Sequence, residues 1–247
     1  MLPAAQMLLD ARRDRRPLES LPEAMRPADA AAAYAIQDEV VAALGGIGGW
    51  KVGASSPSAE PGCSPLPASG VVKSGQAFAK DAFRLNGLEA ELAFTFARDL
   101  PPRGAPYAEA DVLGAIASVH AAIEVVDTRY VDMRAVDPLS ALADFGSHGA
   151  LVVGPARTND LRVDQPRQAV KLEASGELLY EGVGGNAAGD VFRLLVWLAN
   201  HAASRCGGLR AGHVVTTGSC SGLTFAAPPA RVTATLAGLG ACSTDLA

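Results

Sequence analysis

The sequence has few cysteines, few aromatic residues and no long hydrophobic run. Its 247 residues include 4 cysteines and 5% aromatic residues. The cysteines are widely spaced and form no CxxC pair, which argues against both a disulfide framework and a zinc knuckle. No segment approaches the roughly 18 consecutive apolar residues that a membrane-spanning helix needs. We therefore expect no membrane span, no disulfide scaffold and no structural zinc site.

An excess of positive charge is also missing. The chain has 21 Lys and Arg against 26 Asp and Glu, a formal net charge of −5, and its basic residues form no continuous strip. This pattern argues against a nucleic-acid partner. In the opening segment, 1–17, the basic residues follow the short apolar stretch, the reverse of a secretory signal. We expect a cytoplasmic protein.

What the chain does contain is enough apolar sequence for a buried core. Hydrophobic residues make up 49% of it and charged residues 19%, which excludes disorder. Residues 1–48 have a helical pattern, and the clearest helix is predicted over 28–44, from Pro27 to the Gly45-Gly46 pair. Further helices are predicted over 108–120 and 190–204.

From Gly48 onward the pattern changes to short β-branched or apolar runs separated by glycine and proline, with loops predicted over 55–75 and 101–107. The order of elements lacks a regular βα alternation. It predicts an α+β fold with a rolled or barrel-like, largely antiparallel sheet. The predicted strands are 89–96, 121–127, 149–153, 168–172, 178–181, 214–217 and 231–236.

Two glycine-rich motifs resemble known catalytic or cofactor motifs but lack the residues that such sites require. Residues 218–222 have the G-x-nucleophile-x-G form with Cys220 in the centre, but no histidine follows to complete a hydrolase triad. Residues 182–187 match G-x-G-x-x-A, but the acid expected roughly 20 residues later is missing. We expect neither a cysteine nucleophile nor a dinucleotide site. The four histidines lack metal-ligand spacing and are interpreted as ordinary side chains.

The most informative local feature is the pair of acids Glu89 and Glu91 in a predicted strand. Period-two alternation places both carboxylates on one face, with roughly 6.5–7 Å between their Cα atoms. On their own, two such acids are consistent with a solvent-exposed strand face.

A third acid, Glu124, lies within an apolar run, 121–126, that is expected to be buried. A buried carboxylate without a partner is costly. Either a hard cation such as Mg²⁺ or Mn²⁺ or an ion pair with Arg129 or another arginine would remove that cost. The spacing alone leaves both interpretations open.

An ordered set of short motifs spanning about residues 20–240 resembles the fumarylacetoacetate hydrolase superfamily, specifically its 2-keto-4-pentenoate hydratase branch. The motifs are Gly49–Gly53, Glu89-x-Glu91 with Asp99-Leu100-Pro101, Glu124–Arg129, Ala143-Asp144 and Thr216–Gly222. The resemblance implies a mixed β-roll with an N-terminal helical cap over 1–48, a catalytic domain over 49–247, and homo-oligomers.

The resemblance also implies the site and the chemistry. Glu89, Glu91 and Glu124 would bind Mg²⁺ or Mn²⁺, and a 2-hydroxy-2,4-dienoate from aromatic-ring catabolism would gain water at C4 to give a 4-hydroxy-2-oxoacid. Lys51 would contact the substrate carboxylate or deliver a proton, and Ser219 would hydrogen-bond the substrate. Asp144 would act as an acid–base or supporting group.

Three other functions remain open. One is decarboxylation of a 2-oxo-enedioate such as 4-oxalocrotonate, which uses the same metal chelate. Another is C–C hydrolysis of an acylpyruvate, although no histidine-bearing motif for it is evident. The last is a non-catalytic role as partner subunit of a hydratase or decarboxylase.

Overall fold

The computed structural model describes residues 1–247 and begins with two helices. In the second, the Asp29 side chain accepts a hydrogen bond from the backbone of Ala32 at 2.8 Å and caps the first turn. The helix ends before Gly45 and Gly46, which both have positive φ. The predicted helix 28–44 is thus present, with slightly different ends. The five helices are α1 (Pro3–Asp14), α2 (Ala30–Ala43), α3 (Glu109–Leu113), α4 (Pro138–Ala143) and α5 (Val191–Arg205).

Thirteen strands form two sheets. The hydrogen-bonded path of neither sheet closes into a barrel, but the α+β class and the mixed, mostly antiparallel pairing agree with the expected fold. The strands are β1 (Ile47–Gly53), β2 (Gly62–Pro67), β3 (Val71–Lys73), β4 (Ala77–Phe78), β5 (Gly87–Phe96), β6 (Ile116–Val126), β7 (His148–Val153), β8 (Ala169–Ala174), β9 (Glu177–Val183), β10 (Val214–Ser219), β11 (Thr224–Phe225), β12 (Ala230–Leu236) and β13 (Gly240–Leu246).

The first sheet has the order β2-β1-β10-β5-β6-β7-β3, and β11 also pairs with β5. Its centre is the long antiparallel pair β5–β6, in which Glu89 lies opposite Glu124. On the other side of β5, Ser219 of β10 lies opposite Glu91. β1 runs parallel to β10, and Lys51 pairs with Thr216. This register brings polar residues from four strands to one region of the sheet.

The second sheet, β4-β13-β12-β8-β9, packs with α5 against the first sheet to form the main core. The apolar residues of α5 recur at helical spacing, and Leu194, Leu195 and Leu198 are fully buried. Phe192 of α5 packs edge-to-face on Phe94 of β5, with ring centroids 5.7 Å apart. This core supports β5 from the face opposite its two glutamates.

The N-terminal helices form a separate hydrophobic cluster. Leu8 of α1 and Ile36 of α2 pack with Tyr130 and Phe145, which flank α4. Tyr130 and Phe145 are almost completely buried. The cluster therefore fastens the helical segment to the loop that follows β6.

Three local predictions were wrong. The helix predicted over 108–120 ends at Leu113, because from Ile116 onward the chain pairs with β5 as a strand. The predicted loop 55–75 contains β2 and β3. β13 was not predicted, since its Ser, Thr and Asp residues conceal its apolar alternation.

No helix has both the length and the apolar character needed to cross a membrane.

Candidate active site

The structure brings Glu89, Glu91 and Glu124 together on the first sheet. One carboxylate oxygen from each lies within 4.8 Å of the others. Glu91 is 1% exposed and Glu124 is fully buried, whereas Glu89 is half-buried. The alternative of a solvent-exposed strand face is therefore wrong for Glu91, because this face is covered by the rest of the fold.

Lys51 is the cation closest to this acidic cluster. Its Nζ donates to Glu124 Oε1 at 2.7 Å and to the carbonyl of Gly146 at 3.1 Å. The side chain is 22% exposed, so it reaches the acids from the edge of the buried region. The ion pair with an arginine that was considered for Glu124 is absent; Glu124 pairs with Lys51 instead. Arg129 pairs elsewhere.

The pKa values in the cluster follow from burial and from this unequal distribution of charge. Burial, then the neighbouring Glu124, raises the pKa of Glu89, and the pKa of Glu91 is raised well above its usual value for the same reasons. Burial also opposes ionisation of Glu124, but Lys51 and the hydrogen bond from His148 outweigh it and lower its pKa to about 2. Burial alone would lower the pKa of Lys51, but the three carboxylates raise it.

The donor set fits a hard divalent cation. Glu124 Oε2 is buried and has no hydrogen-bond partner, although Oε1 of the same carboxylate is fully engaged. A buried, unpaired carboxylate oxygen is costly unless a ligand satisfies it. Three carboxylates face a single ammonium group, and all the available ligand atoms are oxygens, which suits Mg²⁺ or Mn²⁺.

His148 also belongs to this site, although the spacing of the four histidines indicated only ordinary side chains. Its Nδ1 lies 2.9 Å from Glu124 Oε1, and both side chains are 1% exposed. Burial lowers the pKa of His148, so the imidazole is neutral near pH 7 and Nδ1–H donates to the carboxylate. The contact depends on the β6–β7 pairing, which no spacing within the sequence reveals.

Three residues of β10 lie beside the acidic cluster and have different roles. Thr216 Oγ1 donates to Glu91 Oε2, and the backbone of Gly218 donates to the same oxygen at 3.1 Å. These contacts orient Glu91. The Ser219 hydroxyl oxygen is shielded from solvent and lies close enough to Glu89 to lower the pKa of that carboxyl, but it forms no hydrogen bond of standard geometry. The hydroxyl can therefore turn toward a ligand.

Asp144 lies behind this cluster and is fully engaged. Its carboxylate accepts from Arg129 Nε at 2.6 Å, from the Arg129 backbone at 2.9 Å and from Thr128 Oγ1 at 3.0 Å. Arg129 in turn donates to the carbonyl of His148 at 3.1 Å. Asp144 is therefore connected to Glu124 only through Arg129 and His148.

Cys220 has the environment of a structural thiol. It is fully buried, and burial, followed by the nearby Glu91, raises the pKa of the thiol to about 12. A thiol with so high a pKa is a poor nucleophile at neutral pH. The geometry agrees with the prediction that the Gly218–Gly222 motif is not a hydrolase nucleophile elbow.

Comparison with known proteins adds three findings. The family model described as fumarylacetoacetate (FAA) hydrolase C-terminal matches residues 55–247. A 2-keto-4-pentenoate hydratase of Paraburkholderia phymatum is 32% identical over 247 aligned residues, which cover 96% of this chain and 93% of that protein. A 4-oxalocrotonate decarboxylase of Pseudomonas putida is 31% identical over 133 residues, 54% of this chain and 50% of that protein.

Among solved structures, the 4-oxalocrotonate decarboxylase from Pseudomonas putida G7, complexed with magnesium and adipate, superimposes with a TM-score of 0.85. The two sequences are 25% identical, and the match covers 99% of this chain and 96% of that one. The similarity extends through both sheets and the N-terminal helices.

Proposed function

Because this chain belongs to the fumarylacetoacetate hydrolase family, we propose that it is a metal-dependent hydratase. It would add water to a 2-hydroxy-2,4-dienoate of the 2-keto-4-pentenoate type and release a 4-hydroxy-2-oxoacid. Glu89, Glu91 and Glu124 would hold the Mg²⁺ or Mn²⁺ ion.

The observation that carries this proposal is the buried acidic cluster with one carboxylate oxygen, Glu124 Oε2, left without a partner. A divalent cation held there would act as a Lewis acid, stabilising negative charge on the C2 oxygen of an oxoacid. Burial of Glu91 and Glu124 keeps bulk water away from the cluster and strengthens electrostatic interactions within it.

Lys51 and Ser219 are the groups available to the substrate. Lys51 uses two of its three N–H donors on Glu124 and Gly146, which leaves one for a substrate carboxylate or for proton delivery. Ser219 lies opposite Glu91 in the strand register, and its hydroxyl forms no hydrogen bond of standard geometry. In this proposal Lys51 neutralises the substrate carboxylate and Ser219 orients it, whereas Asp144 holds Arg129 in place.

A decarboxylase acting on a 4-oxalocrotonate-type substrate is the second candidate. Its support is the TM-score of 0.85 with the Pseudomonas putida G7 decarboxylase over 99% of this chain. The hydratase is preferred because a hydratase relative matches 96% of the chain at 32% identity, while the decarboxylase relative of similar identity matches 54%.

The proposal includes a cytoplasmic homo-oligomer in which the helical segment 1–48 and the β-rich segment 49–247 act as one unit. The alternative of a non-catalytic partner subunit makes a different prediction for the purified chain. If this chain is itself the enzyme, it turns over substrate alone once a divalent cation is added, and light scattering gives a multiple of the 25.2 kDa subunit.

The decisive experiment is a spectrophotometric assay of 2-hydroxypenta-2,4-dienoate and 4-oxalocrotonate, each with and without Mg²⁺ or Mn²⁺. Loss of dienoate absorbance without CO₂ release supports the hydratase. CO₂ release from 4-oxalocrotonate establishes the decarboxylase instead. Absence of metal-dependent turnover of either substrate would overturn both.

A further inference from the structure

A polar cavity whose charged lining residues are mostly arginines lies outside the acidic cluster. Its volume is about 440 Å³, and its wall contains residues of α1, of the segment 81–84 and of the segment 127–129. Neither Lys51 nor any glutamate of the acidic cluster lines it. We call it the arginine cavity after four of its lining residues, Arg12, Arg15, Arg84 and Arg129.

Two of these arginines have ordinary carboxylate partners. Arg129 forms its buried ion pair with Asp144, and Arg15 pairs with Asp81 at the exposed rim. The remaining acid of the wall, Asp127, accepts hydrogen bonds from the backbone of Arg84 and Leu85 through Oδ1. Asp81 thus pairs with Arg15, whereas Asp127 is held by backbone N–H groups and forms no salt bridge with any arginine of the cavity.

The other two arginines, Arg12 and Arg84, form no salt bridge with any carboxylate. Arg84 donates to the carbonyl of Tyr130 at 2.5 Å, and Arg12 makes only a long contact of 3.5 Å with the carbonyl of His148. Each guanidinium carries five N–H donors, so most of these have no partner within the protein. Arg84 is an exposed residue, so its free donors face solvent, whereas Arg12 is partly buried.

Arg12 is the more unusual of the two because it is largely desolvated. Burial, then repulsion from Arg129, lowers its pKa to about 10, so it remains charged at neutral pH. Asp144 and Asp127 attract this cation and offset part of the cost of its burial, but neither forms a salt bridge with it. A buried cation without a directly bonded counter-ion destabilises the fold unless an anion reaches it. The arginine cavity therefore contains cations that form no salt bridge, and it has enough volume for a small anionic ligand.

We propose that the arginine cavity binds a small multivalent oxyanion, such as a phosphate or a short dicarboxylate, through Arg12 and Arg84. Planar guanidinium groups bind carboxylate and phosphate oxygens in pairs, which an isolated halide cannot match. The volume lies within the range of small-molecule sites, roughly 300–1,000 Å³. The site is separate from the acidic cluster, so this proposal does not depend on the proposed reaction.

The test is a titration of metal-free protein with sodium phosphate, sodium sulfate and sodium succinate at constant ionic strength, with NaCl as the reference. Calorimetry measures binding, and thermal unfolding measures stabilisation. Arg12→Gln and Arg84→Gln remove the two guanidinium groups. Arg13→Gln is the matched control, because Arg13 lies on the same helix but forms exposed ion pairs with Asp10 and Asp14.

Wild type and Arg13→Gln should bind at least one of the three anions saturably. Arg12→Gln should weaken that binding by at least about tenfold, in line with the loss of a charge-assisted hydrogen bond. Preference for phosphate and sulfate over succinate, or the reverse, identifies the class of oxyanion. Without added anion, Arg12→Gln should be at least as stable as wild type, because the cost of burying the charge and then the repulsion from Arg129 are removed, and together they exceed the attraction from Asp144 and Asp127 that is lost.

Two outcomes overturn the proposal. One is that the anions raise the thermal stability only as much as NaCl of the same ionic strength does, or raise it equally in wild type and Arg12→Gln. The other is dissociation of an oligomer in Arg12→Gln with no anion binding in wild type. That result would show that acidic residues of a second copy fill the arginine cavity.

Discussion

Glu124 and Asp144 are both buried carboxylates with a nearby cation, yet their surroundings differ in one respect. Asp144 uses both oxygens, accepting from Arg129 through two side-chain nitrogens and the backbone and from Thr128. Glu124 uses only Oε1, which accepts from Lys51 and His148, and leaves Oε2 without a partner.

This difference distinguishes Asp144, which supports the local structure, from Glu124, which has an oxygen free to bind a cation. A completely hydrogen-bonded buried ion pair has no capacity left for a ligand and fixes the local structure. A carboxylate with a free buried oxygen, surrounded by further acids, lowers the stability of the ligand-free protein and gains when a cation binds. Four substitutions test this distinction.

The largest effect is expected for Asp144→Asn. Because Arg129 would remain buried without its counter-charge, the free energy of unfolding should fall by about 3–5 kcal/mol, as measured by urea denaturation. Asp164→Asn is the control, since Asp164 pairs with Arg167 at the surface and should matter little. A variant with wild-type stability but no turnover would instead place Asp144 among the catalytic residues.

The second-largest effect is expected for Glu124→Gln. Loss of an outer partner of a metal ligand already costs about 10–100-fold in affinity, so loss of the ligand itself should weaken Mn²⁺ binding by more than about 100-fold. Calorimetry with Mn²⁺ measures the affinity, and circular dichroism verifies the fold. Glu177→Gln on exposed β9 is the control. Unchanged Mn²⁺ affinity in Glu124→Gln would refute the proposed ligand set.

Lys51→Met should lower kcat/KM by at least about tenfold while Mn²⁺ stays bound, because no carboxylate is removed. If Lys51 holds the substrate carboxylate, binding should weaken about 10- to 150-fold. If Lys51 delivers a proton, turnover should fall by about 10²–10⁴-fold. Lys171→Met, on the surface of β8, is the control. Wild-type kinetics in Lys51→Met would exclude both roles.

The smallest effect is expected for Cys220→Ala, which should keep most of its turnover. Burial raises the pKa of this thiol to about 12, so it stays protonated at pH 8 and should react with Ellman's reagent only after unfolding. The half-buried Cys206 thiol is an internal comparison for the effect of burial on reactivity with Ellman's reagent. Its pKa is also raised to about 12, but it is less buried than Cys220. Lost turnover with unchanged metal and substrate affinity would revive the nucleophile hypothesis.

The fold was predictable wherever local pattern and burial agree. The apolar alternation of 89–96 and the helical spacing of 190–204 match β5 and α5 closely. The failures have a common cause. Glycine and proline in β1 and β2, and polar residues in β13, oppose strand formation locally, but pairing with neighbouring strands outweighs that preference.

The sequence by itself determined the α+β class, the common face of Glu89 and Glu91, and the absence of a histidine after Cys220, because these depend on residue order and period-two alternation. Only the tertiary structure decided which charges meet. Lys51 and Glu124 are 73 positions apart, and they form an ion pair because β1, β10, β5 and β6 lie side by side. Arg12 is left without a carboxylate for the same reason: the packing of distant segments, not their spacing in the chain, sets each side chain's partners.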